Sequence, residues 1–183
     1  MNNEHLIDAG EIEERIRNLL DRNGFATQKI PSPEGTPQQA EAFRLRVMQP
    51  LKFSVEIVKP LQMKDFLFIG GRLNVSPQHQ EAIEKMDSQL RERFFDDLRT
   101  NLAMLPPNFK LEVVGYKLVA LDVTLPVIIG GETLAKDLFT AMDTINKEFF
   151  YMIFIIQKYL REGGINVQSQ QSLQNQPTDR FYL

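Results

Sequence analysis

Cysteine is absent from this 183-residue chain, and histidine occurs only twice, at His5 and His79. The first absence excludes disulfide frameworks, thiolate catalysis and Cys-ligated metals. The second leaves no His/Glu spacing of the metalloprotease type. A basic excess is lacking too: the net charge is −3 and the isoelectric point about 5.5. Nucleic acid and anionic membrane surfaces are therefore not expected partners, because phosphate contacts need a basic face. No apolar run approaches the roughly 20 residues of a membrane span. The N-terminus is acidic (Glu4, Asp8, Glu11, Glu13, Glu14) and carries no apolar core of a secretory signal. A cytoplasmic protein without a cofactor is the expectation.

What is present is ordinary globular composition, 43% hydrophobic and 25% charged, in a length that suits one domain. Asp8 and Glu11 form a capping box ahead of a helical face of Ile12, Ile16, Leu19 and Leu20, which ends at Asn23-Gly24. A short strand around Phe25–Ile30 leads into the proline-rich loop Pro31–Pro37. Phe43, Leu45 and Val47 alternate with polar positions, as do Leu51, Phe53, Val55 and Ile57, so one sheet face is buried and the other wet. Phe66-Leu67-Phe68-Ile69 breaks the alternation and reads as a strand covered on both faces. Ser76-Pro77 starts a helix carrying Ile83, Met86, Leu90, Phe94, Leu98 and Leu102, which Pro106-Pro107 stops. Strands follow at Phe109–Val114 and Lys117–Leu125, and Gly130-Gly131 opens a last helix running to Gly163-Gly164.

The predicted order is α-β-β-β-β-α-β-β-α: three helices and a mainly antiparallel sheet of five to six strands, an α+β fold. Residues 1–164 form the domain, and the Gln-rich segment 165–183 is a flexible tail, too polar to order itself. As a coil the tail reaches on the order of 20–25 Å. Its end, Arg180-Phe181-Tyr182-Leu183, reads either as frayed chain or as a docking tip.

Reactive constellations are missing. His79, in the first turn after Ser76-Pro77, reads as an exposed or capping histidine with no nucleophile or carboxylate beside it. Asp96 and Asp97 diverge on a helix by about 100° and read as a solvated ionic face. Gly70-Gly71 and Gly130-Gly131 have neither the Walker spacing nor the dinucleotide fingerprint, and read as turns and caps. Arg44, Arg46 and Lys52 could form a basic patch on the wet sheet face, with Glu41 and Glu56 offsetting it.

The unusual stretch is Phe149-Phe150-Tyr151-Met152-Ile153-Phe154-Ile155-Ile156, apolar all round the last helix. A soluble helix needs one apolar stripe, and here Leu134, Leu138, Met142, Ile145, Phe149, Met152 and Ile156 supply it. That leaves Phe150, Tyr151, Phe154 and Ile155 on a second face. Exposing them would forgo about 1.5–3 kcal/mol each, so something covers them. The candidates are the proline-rich loop, the first helix, the C-terminal tail, or a second subunit related by a two-fold axis. These four residues are the candidate protein-interaction site, with the polar sheet face as a second candidate.

Several stretches together resemble an uncharacterised archaeal family, domain of unknown function 2299. They are Asn18-Leu19-Leu20-Asp21-Arg22-Asn23-Gly24-Phe25, Ile30-Pro31-Ser32-Pro33, Phe53-Ser54-Val55-Glu56-Ile57-Val58-Lys59-Pro60, Ser76-Pro77-Gln78-His79-Gln80, and Arg93-Phe94 with Asp97-Leu98-Arg99. The likeness covers about residues 8–162; the longer proline-rich loop and the Gln-rich tail depart from it. The resemblance implies a fold like that of type III secretion chaperones, small α+β proteins that dimerise and bind other polypeptides. It implies no catalytic residue. The leading expectation is a non-enzymatic homodimeric protein-interaction module, chaperone-like or adaptor; the alternative is a small-ligand or nucleotide-binding regulator using Gly130-Gly131.

Overall fold

The computed structural model describes residues 9–31, 41–49, 51–104, 108–130 and 132–165. Asp8, His5, most of the proline-rich loop, Pro50, Pro106-Pro107, Gly131 and the tail beyond Ile165 lie outside them.

Helix α1 (Ala9–Arg22) buries Ile12, Ile16 and Leu20 against β1 (Ala26–Lys29) and β2 (Glu41–Gln49). Gly24 takes φ +77°, which a residue with a Cβ adopts only at a cost, and the Phe25 N–H then closes the helix onto the Leu20 carbonyl at 3.0 Å. Strands β3 (Val55–Pro60), β4 (Phe66–Asn74), β5 (Asn108–Val114) and β6 (Lys117–Ile128) complete one antiparallel sheet in the order β1-β2-β3-β4-β6-β5. Pro126 sits in β6 beyond Thr124, the last residue that β5 reaches, so its missing N–H costs no bond to β5.

The α+β reading holds, with one helix more than the sequence suggested. The helix starting at Ser76 is two: α2 (Pro77–Glu84) and α3 (Ser88–Ala103). The break is chemical. The Asp87 carboxylate accepts the Leu90 N–H at 2.9 Å and caps a fresh helix, while the Arg91 guanidinium takes up the Glu84 and Met86 carbonyls at 2.9 and 3.2 Å. Because the turn is short, the expected face survives: Ile83, Met86, Leu90, Phe94, Leu98 and Leu102 are all buried.

Helix α4 (Leu134–Glu162) lies across β4 and β6 and also packs on α2 and α3. Its stripe from Leu134 to Ile156 forms the middle of the core with the inward residues of the sheet, Phe43, Leu45, Val47, Val55, Ile57, Leu67, Ile69, Leu73, Leu121 and Val123. Gly70 and Gly71 are neither turn nor cap. They lie inside β4, where a strand glycine marks a close approach.

Candidate functional site

Two layers press on α4, and they divide its second apolar face. Tyr159 stacks edge-on against Phe94 of α3 with centroids 5.6 Å apart. Its hydroxyl donates to Asp97 Oδ2 at 2.5 Å and lies 3.3 Å from the Arg93 carbonyl. Ile155 is one helical turn before Tyr159, on the same side, and only 3% exposed. Its place among the uncovered residues is thus corrected: Ile155 belongs to the chain's own core. Tyr151 is half-buried and packs on the core. Burial, and then the negative charges of Asp97 and Glu148, push its phenol above the usual range.

What stays open is a stripe of two aromatic rings one turn apart, Phe150 at 45% exposure and Phe154 at 56%. Phe150 is half-anchored by the β2–β3 loop: the Phe53 ring meets it edge-on at 5.2 Å, and Lys52 Nζ sits 5.0 Å from its centroid. Lys147 lies one turn before Phe150 and pairs with Asp143; Lys158 lies one turn after Phe154 and pairs with Asp97. Ion pairs therefore flank the stripe at both ends, and Lys52 lies at its side.

Glu148 is buried at 5% exposure, and its Oε2 has no hydrogen-bond partner. Burial raises its carboxyl above the usual range. Nothing in the sequence marked it, since a lone Glu in a helix reads as a solvent-facing residue until its heptad neighbour Ile155 is known to be buried.

The polar sheet face is not a free basic patch. Arg44 is 2% exposed and bonds Glu41 at 2.5 and 3.0 Å, while Glu56 bridges Arg44 at 3.3 Å and Arg46 at 2.8 Å. Lys52 takes no part, having gone to Phe150. Farther along the sheet, Arg72 binds Asp122 and Glu112. Phe66 and Ile128, register partners, are exposed on this face and Phe68 is half-buried, so the expectation that this strand is covered on both faces holds only for Leu67 and Ile69.

His79 is buried. Ser76 Oγ caps its N–H at 3.5 Å and lies 2.6 Å from Nδ1, and burial lowers the imidazole below its ordinary value. The exposed reading does not hold, and the capping residue is Ser76, whose hydroxyl the His79 ring meets. At the start of α4, Gly130 and Glu132 are exposed, and Thr133 Oγ1 donates to Asp137 at 2.7 Å instead of capping an amide. Asp137 and Glu132 place carboxylates where an anionic ligand would approach. Among the described residues no group of three or more His, Cys, Asp or Glu could hold a metal, and no helix is long and apolar enough to cross a membrane.

Comparison with curated proteins finds no match. Among solved structures, an uncharacterized protein from Methanothermobacter thermautotrophicus is 22% identical with a TM-score of 0.70, covering 81% of this chain and 99% of its own. That likeness shows the fold. YbjN from E. coli is 12% identical with a TM-score of 0.45, over 82% of this chain and 93% of its own, too distant to carry an argument. Residues 12–159 match the family described as uncharacterized conserved protein (DUF2299), and the chain belongs to that family.

Proposed function

We propose that the chain is a non-enzymatic protein-interaction module of the cytoplasm, a homodimer of chaperone-like or adaptor type related in fold to type III secretion chaperones. Its α4 stripe would hold another polypeptide. The observation that carries this reading is the pair Phe150 and Phe154, left exposed on a helix whose other apolar residues are buried or half-buried. Isolated exposed apolar residues need no explanation, but two large rings in register on one rigid helix make a ready anchor for an apolar segment. Lys52, beside the Phe150 ring, favours an acidic residue flanking that segment.

A hydrophobic fluorescent probe tests the surface, and light scattering at several concentrations tests the dimer. Phe154→Asp should lower probe binding several-fold with an unchanged far-ultraviolet spectrum; equal binding in a folded variant would remove the stripe from the proposal. A strict monomer would remove the homodimer.

A further inference from the structure

We draw no further inference here: the strongest candidate, the apolar surface patch that the register partners Phe66 of β4 and Ile128 of β6 expose on the polar face of the sheet, carries nothing because nothing in the structure shows what covers it.

Discussion

The Phe149 ring lies directly on Gly71: a Cβ built on that glycine would stand 2.9 Å from two of the ring's carbons. The strand and the helix approach this closely only because β4 lacks a side chain at the crossing. Gly71→Ala is expected to destabilise the fold by about 1–3 kcal/mol through overpacking. The smaller ring substitute in Gly71→Ala/Phe149→Leu should recover part of the loss, which chemical denaturation of the single and double variants would measure. Full additivity of the two losses would contradict the contact.

Glu148 predicts a stabilising substitution. Its folded carboxyl titrates above its ordinary value because of burial, so the neutral form is favoured in the fold. Stability should fall as pH rises from the unfolded value through the folded one. Glu148→Gln should stabilise at neutral pH, because it removes the charge that burial disfavours. The advantage should vanish in acid, where the wild-type carboxyl is protonated in both states. Melting temperatures of the two proteins from pH 3 to 8 decide it; a constant difference would mean that the Glu148 proton is not linked to folding.

Tyr159 shows the same sign of linkage at higher pH, a proton the fold holds. Burial first, and then the hydrogen bond to Asp97, push its phenol from 10.0 to about 12. The stabilisation is complete below pH 10 and is lost between 10 and 12. Asp97 is held below its ordinary value chiefly by the same hydrogen bond, so its share is present above that value and lost as pH falls through the depressed one. Tyr159→Phe should cost about 1.5–3 kcal/mol at neutral pH, as for hydrogen bonds to charged groups. The variant should also lose less stability than the wild type between pH 10 and 12.

Glu56 stands between two arginines, one of them Arg44 at the bottom of the polar sheet face. Removing the carboxylate leaves cations with less compensation in a desolvated place. Glu56→Gln is expected to destabilise by about 3–5 kcal/mol, the range for breaking a buried pair on one side. A loss under 1 kcal/mol in urea denaturation would mean that Glu41 alone satisfies Arg44.

The sequence made the local pieces readable wherever one residue acts on its near neighbours. Ser76 caps α2 as its hydroxyl implies, period-two alternation in Phe43–Val47 marks the inward face of β2, and the residues from Ile83 to Leu102 face the core. Readability ended where the outcome depends on what lies opposite. Reading α4 as a helix on a single layer left Ile155 without cover, whereas it belongs to the chain's own core, and α3 joins α4 through Tyr159 and Asp97. The pairing of Arg44 and Arg46 with Glu56 depends on the β2–β3 register, with Arg46 opposite Glu56, and no window along the chain contains that register. The break at Asp87 was available in principle, since aspartate followed by serine is a common helix opening, but the continuous apolar periodicity on both sides outweighed it.

The strand order has a kinetic consequence. Among the described residues, four of the five strand pairings join neighbours in sequence: β1 with β2, β2 with β3, β3 with β4, and β5 with β6. Only β4 with β6 spans a long stretch of chain, enclosing α2, α3 and β5. Local hairpins close at small entropic cost, whereas this one junction requires a large loop to be closed before it gains contacts. The chain is thus expected to assemble as a four-stranded N-terminal meander and a C-terminal hairpin that meet late. Substitutions at the junction, such as Leu73→Ala or Leu121→Ala, should then speed unfolding more than they slow refolding. Stopped-flow measurements on the two variants would show the opposite partition if the halves met first.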